Sequence, residues 1–131
     1  MSVAFAVQKA VDAVLLPVLA GLSPPVALYD DVPTAAAFPY VAFSRSNAVA
    51  DNLLARKMTR VQISLTVFSD FRGQEQVLQI LGAIEAALDD ANLTLDTGTA
   101  VRCDLERADT VLDQDGETYT GTAIYAVLVL H

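Results

Sequence analysis

From Thr59 to Phe68 the chain alternates without a break, with Val61, Ile63, Leu65 and Val67 on one side and Arg60, Gln62, Ser64 and Thr66 on the other. A β-strand sends successive side chains to opposite faces, so this stretch predicts a strand with one buried and one wet face. A sheet built from such a strand needs a cover on its apolar face, and two stretches can supply it. Val3, Val7, Ala10, Val14 and Val18, with Val11 and Leu15 beside them, recur at helical spacing and leave Gln8, Lys9 and Asp12 opposite. That predicts an amphipathic helix from a possible N-cap at Ser2 to about Leu16 or Ala20, which Pro17 kinks or ends. From about Gly73 to Ala91, Val77, Leu81, Ile84, Leu88 and Ala91 repeat at the same period while Glu75, Gln79, Glu85 and Asp89 face water, and Asn92 is a plausible terminator.

The remaining elements read as strands. Val26 to Tyr29 is a short extended piece after Ser23-Pro24-Pro25, and Pro39 to Ser44 is the next strand, with the bracketed Thr34 to Phe38 as a surface connection. Leu93-Thr94-Leu95 and an Asp96-Thr97-Gly98 turn follow the second helix. Val101, Cys103 and Leu105 then alternate with Arg102, Asp104 and Glu106, placing Cys103 on the core side. Thr118 to Leu130 is almost wholly apolar from Ala123, which predicts cover on both of its faces, and Asp115-Gly116 is a hairpin turn between these last two strands. The predicted order is α-β-β-β-α-β-β in one α+β domain spanning 1–131, a mostly antiparallel sheet with both helices packed on one face.

Between the second and third strands lies Asn47 to Lys57, with no glycine or proline and with Leu53-Leu54 flanked by Asp51, Arg56 and Lys57. Either both strands run on into a projecting hairpin whose Asp51, Leu53, Leu54, Arg56 and Lys57 form an interface, or the leucines fold back onto the chain's own core.

Composition then narrows what such a domain does. In 131 residues, 53% are apolar and 18% charged, more apolar surface than a small monomer needs, which makes oligomerisation an expectation. The formal net charge of −8 opposes binding to nucleic acid through its phosphates, and the loose cluster Arg56, Lys57 and Arg60 lacks interleaved aromatic residues. The longest uninterrupted apolar run, Ala13 to Leu22, holds Pro17 and Gly21 and is shorter than the roughly 18 residues of a membrane span, so no membrane partner is expected. A signal peptide is conceivable from Lys9 and Val18-Leu19-Ala20, and Asp12 argues against it.

Recognisable chemistry is sparse. The sole cysteine, Cys103, forms no intrachain disulfide and no Cys-based zinc site, and the sole histidine, His131, is the last residue and a poor general base. Asp113-Gln114-Asp115-Gly116-Glu117 resembles a calcium loop only superficially: with Gly116 at the sixth position, Val111 and Thr122 stand where carboxylates are required. Asp89-Asp90 and Asp104-Glu106 have no electrophilic partner in the sequence, and the six glycines form no phosphate cradle. No catalytic residue, metal or cofactor is therefore expected, and the product of this chain is a surface.

At Tyr29-Asp30-Asp31-Val32-Pro33, followed by Pro39-Tyr40-Val41, the sequence resembles the tail terminator (tail completion) proteins of long-tailed bacteriophages and gene transfer agents. The order of elements agrees along nearly the whole chain: the amphipathic helix, a strand ending Thr66-Val67-Phe68-Ser69, the long helix, and a hairpin with Arg102, Asp115-Gly116 and Thr118. Thr34-Ala35-Ala36-Ala37 stands where a glycine is often found.

The resemblance implies a structural protein, not an enzyme. Its expected partners are five further copies of itself in a homohexameric ring, the tail tube protein whose polymerisation the ring ends, and a head-side connector or stopper protein. The site is the head–tail junction of a particle assembled in the host cytoplasm. Double-stranded DNA would pass through without specific binding, and Asp104, Glu106, Asp109 and Asp113 are candidates to face that channel. The alternatives are a head-closure or connector component, or an α+β domain that binds a small ligand.

Overall fold

The computed structural model describes residues 3–22, 25–34, 36–50, 57–71, 74–89, 93–95, 98–112 and 118–130. Its elements are α1 (Val3–Ala20), β1 (Ala27–Tyr29), β2 (Tyr40–Ala50), β3 (Met58–Ser69), α2 (Glu75–Leu88), β4 (Thr99–Leu112) and β5 (Tyr119–Leu130). They occur in the order expected from the sequence, and the class is α+β. The strands form one sheet, β1-β2-β3-β5-β4, in which β1 pairs parallel to β2 and every other pair is antiparallel. β5 lies between β3 and β4, so the chain crosses from β3 through α2 to the far edge and returns down the middle.

The alternation in β3 sets the rest. Val61, Ile63, Leu65 and Val67 are fully buried, and the register puts them beside Val127, Tyr125, Ala123 and Gly121 of β5. Against this face pack Val7, Val11, Leu15 and Leu19 of α1 and Val77, Ile80, Ile84 and Leu88 of α2. Cys103 joins the same core, as its place in the β4 alternation requires. At about 1.5–3 kcal/mol per fully buried large aliphatic side chain, this layer is the principal stabilising term of the domain.

α1 continues through Pro17 to Ala20. It is long and apolar enough to cross a membrane by length and composition, with a mean hydropathy of 1.8, yet its Ala6, Val7, Ala10, Val11, Leu15 and Leu19 are buried within this domain. The second helix is shorter than its periodicity suggests, Glu75–Leu88, and Asp89 adopts an extended conformation that ends it. Ser2, Ala91, Asn92, the Asp96-Thr97 pair and the Asp115-Gly116 turn lie outside the described residues.

One expectation is corrected. The apolar run of β5 predicts burial on both faces, but only Gly121, Ala123, Tyr125, Val127 and Val129, which face the helices, are buried. Ile124, Ala126, Leu128 and Leu130 lie on the opposite face and are half-buried, because both helices sit on the other side of the sheet. Of the two readings of the stretch after the second strand, Asn47–Ala50 follows the one in which the strands run on: it completes β2 and pairs with Thr59–Gln62 of β3.

Two core positions yield measurements. A Cβ on Gly121 would stand 2.4 Å from Val77 Cγ1 and 2.9 Å from Leu81 Cδ1, so the glycine is what lets α2 approach β5. Gly121→Ala should therefore cost about 1–3 kcal/mol by overpacking, read as a lower urea midpoint at unchanged slope. The Tyr125 side chain is 1% exposed and its hydroxyl has no hydrogen-bond partner among the described residues. Burial, with lesser contributions from Glu85, Cys103 and Asp89, pushes its pKa well above the ordinary value. Removing an orphaned buried hydroxyl by Tyr125→Phe should stabilise the fold by about 1 kcal/mol or more at neutral pH. A phenol whose pKa is raised by folding contributes stability that is intact below its unfolded value near 10 and declines as pH climbs beyond it. Urea titrations at pH 7 and pH 11 should thus show a smaller alkaline loss in the variant than in the wild type.

Candidate assembly interface

The face of the sheet away from the helices divides into three zones along the strands. At one end stand Tyr29, Phe38, Tyr40 and Phe68. The Tyr40 ring stacks on Phe68 with centroids 4.9 Å apart, while Tyr29 meets it edge-on at 5.8 Å and Phe38 lies at 5.5 Å. The Tyr29 and Pro39-Tyr40 motif positions thus converge on one aromatic ladder across β1, β2 and β3, beside the cis Phe38–Pro39 bond. Next comes a belt of hydroxyls. Thr66 Oγ1 donates to Ser44 Oγ at 2.9 Å, Ser44 Oγ donates to the Ser64 carbonyl at 3.2 Å, and Thr66 lies 3.4 Å from the Thr122 hydroxyl.

The third zone is charged and tied together across four strands. Glu106 sits at a β-bulge between Leu105 and Arg107 of β4, and its carboxylate reaches over β5, where the small Ala126 leaves room, to β3. There it meets Arg60 at 2.9 Å and accepts from Gln62 Nε2 at 3.0 Å, and Asn47 of β2 donates to Gln62 Oε1 at 3.4 Å. Arg102 pairs with Asp104, and Arg107 pairs with Asp109 at 2.7 Å. Two shallow depressions flank Glu106. One of about 310 Å³ is lined by Arg60, Arg102, Asp104, Ala126 and Leu128, the other of about 340 Å³ by Asn47, Gln62, Ser64, Arg107 and Ile124.

This arrangement relocates the sequence-derived candidates. Asp104, Glu106 and Asp109 do share one face, but each is paired with an arginine, so three carboxylates there face three cations. The acidic excess of the described residues lies elsewhere, at Asp12, Asp30, Asp31, Asp70, Glu75, Glu85 and Asp89. Asp113 is outside the described residues, as are Asp51, Leu53, Leu54 and Arg56; Lys57 is exposed immediately before β3. Sequence reasoning missed Gln62 and Arg60 as partners of Glu106. The bulge that aims Glu106 is set by β4–β5 register, which no local pattern announces.

Among the described residues seven large apolar side chains are exposed: Phe5, Leu16, Val32, Phe38, Val49, Phe71 and Leu78. Five of them belong to α1, β2 or the segment joining β1 to β2. Among the described residues no group of three or more His, Cys, Asp or Glu side chains is placed to hold a metal ion. The geometry is that of contact surfaces.

Residues 5–130 match the family described as Tail completion protein gp17. The chain belongs to that family. No curated protein matches it by sequence. Among solved structures, a chain described as "Virion of native gene transfer agent (GTA) particle" is similar over 99% of this chain and 98% of its own length, at 22% identity and a TM-score of 0.88. A second solved chain is similar over 97% and 94%, at 14% identity and a TM-score of 0.67. These likenesses show that the fold is shared, and the family makes this chain a tail completion protein, a structural component of phage-like tails.

The polar zone adds little to stability on these terms. Arg60 and Glu106 are 48% and 28% exposed, and exposed pairs contribute about 1 kcal/mol or less. Glu106→Gln should accordingly shift the unfolding free energy by less than about 1 kcal/mol in urea titration, and a loss of several kcal/mol would show that this line of side chains holds the sheet together.

Proposed function

We propose that this tail completion protein forms a homohexameric ring that caps the tail tube, ends its polymerisation and joins the tail to a head-side connector. The ring stands at the head–tail junction of a phage or gene-transfer-agent particle. The observation that carries the reading is the exposure of large apolar side chains on a chain this small, with Phe5, Leu16 and Val49 each at least half exposed. Exposed apolar surface of this kind marks protein–protein contacts. A contact between two different surfaces of the subunit closes into a ring when its rotation permits. Family membership over residues 5–130 supports a tail role, and the fold shared with a chain of a gene transfer agent virion supports a place in the particle.

In such a ring Asp104, Glu106, Asp109 and Asp113 remain the candidates to face the channel. Their arginine partners make the lining charge-balanced at the described positions, so a duplex meets neither a trap of unpaired cations nor a wall of bare carboxylates. Asp51, Leu53, Leu54, Arg56 and Lys57, which lie between β2 and β3 in sequence, are proposed to contact a neighbouring subunit or the tube.

Mass measurement and negative-stain microscopy of the purified chain, alone and with tail tubes, test the reading. A six-membered ring, free or on tube ends, is expected; a chain that stays monomeric and ignores tube ends sinks it, and attachment to heads in preference to tubes makes it a connector component. Leu53→Ser with Leu54→Ser should weaken assembly while leaving the melting temperature of the subunit nearly unchanged. Mixed with duplex DNA at about 50 mM salt, where electrostatic binding is strong, the ring should form no appreciable complex.

A further inference from the structure

The two edges of the sheet are finished differently. β4 carries two register shifts, after Ala100 and after Leu105, and displays Arg102, Asp104, Glu106, Arg107 and Asp109. The Leu105 amide, at the second shift, donates to Asp89 Oδ1 from the end of α2 at 3.3 Å. Bulges, charges and a side chain over the backbone are the devices by which edge strands resist pairing. The opposite edge carries one such device, the register shift between Phe43 and Arg45 of β2, and none over Ser46–Ala50. There β2 keeps an unbroken antiparallel register with β3 and carries no charged residue, proline or glycine. All five residues are exposed, Val49 by 53%.

This edge is open because β1 is short. β1 runs beside Tyr40–Ala42 and stops at Tyr29, where the chain bends away at Asp30. Among the described residues nothing pairs with the outer side of β2 beyond Ala42. A depression of about 220 Å³ lies at that point, lined by Phe5, Gln8, Lys9 and Asp12 of α1, by Asp30 where β1 leaves, and by Phe43 where the open edge begins. Open backbone on one strand, with a depression lined by Phe5 and Phe43 on the near side of the Phe43/Arg45 shift where β1 stops, is the geometry that receives an added strand. Five residues match the usual length of a strand.

We infer that Ser46–Ala50 is a docking edge for an extended segment of a different protein of the particle, which continues the lane of β1 and adds a sixth strand. The assignment of that partner to the particle rests on the proposed function above. The segment pairs with the edge through its own backbone and sets a branched or aromatic side chain against Phe5 and Phe43. It is neutral or basic, since the depression holds Asp12 and Asp30 against Lys9. A second copy of this chain is the poorer occupant: in a ring closed by rotation each joint brings two different surfaces together, and among the described residues the other strand edge a copy has to offer is the bulged and covered β4.

The test uses purified particles carrying Val49→p-benzoylphenylalanine and, separately, Ala48→Lys and Val49→Lys. Irradiation should join this chain to a different particle protein, and both lysine variants should enter particles at least tenfold less often while melting within about 2 °C of the wild type, because exposed edge positions carry little of the fold. Adducts only between copies of this chain, no adduct from particles that contain it, or lysine variants that enter particles normally would each overturn the inference. Mass measurement of the isolated variants separates the two readings. Rings that persist in the lysine variants agree with an edge reserved for another protein, and rings lost in them would mean that the edge joins copies. Absence of rings from the wild-type chain counts against the ring alone, since a heterotypic adduct at Val49 is read independently of it.

Discussion

Burial of one sheet face under two helices is the constraint from which the other features follow. Val61, Ile63, Leu65 and Val67 of β3 and Ala123, Tyr125, Val127 and Val129 of β5 form a continuous apolar floor, and α1 and α2 lie side by side on it. α2 comes close to the floor because β5 presents Gly121 beneath Val77 and Leu81. With both helices spent on that side, the other face has no cover within the chain. Its apolar residues on β5 are therefore only half-buried, shielded by long polar side chains from the neighbouring strands.

Those side chains solve a physical problem. A bare row of Ile124, Ala126, Leu128 and Leu130 down the middle of an exposed sheet would invite non-specific association. Arg60, Arg102 and Glu106 rise from the flanking strands around Ala126 and Leu128, their stems over apolar surface and their charges in water. The Asn47–Gln62–Glu106 line runs from β2 to β4 at right angles to the strands, and Arg60 joins it at Glu106. Paired charges of this sort contribute little to stability but fix a definite surface.

Much of this was legible in the sequence where local periodicity governs. The alternation in β3, the helical spacing of Val77, Leu81, Ile84 and Leu88, and the placement of Cys103 all follow from side-chain direction along an element, and each is found as expected. The reading of β5 went astray because a run of apolar residues says how hydrophobic two faces are and is silent on whether a second layer exists to cover the outer one. Asn47–Ala50 stays open between strand and loop in the sequence because Asn and Ala have weak strand preference, and pairing with Thr59–Gln62 decides it as strand. The partners of Glu106 were out of reach for a different reason: they stand 44 and more residues away in sequence and meet only because β5 is inserted between β3 and β4.

The charge distribution links these surfaces to the net charge of −8. Since Asp104, Glu106 and Asp109 are matched by arginines, the described carboxylates in excess sit on the helices and on the turns beside them, from Asp12 and Asp30 to Glu75, Glu85 and Asp89. Like charges on separate copies repel most where they are unpaired, so α2, which carries Glu75 and Glu85 and no cation, is poorly suited to meet its own kind face to face. In the proposed ring this turns contacts between copies away from an α2-on-α2 pairing and toward exposed apolar side chains outside the β2 edge, such as Leu16, Val32 and Phe38. An arrangement that disfavours face-to-face dimers and leaves the flanks adhesive is what head-to-tail closure requires, because a ring forms only when two unlike sides of the subunit meet more readily than two like ones.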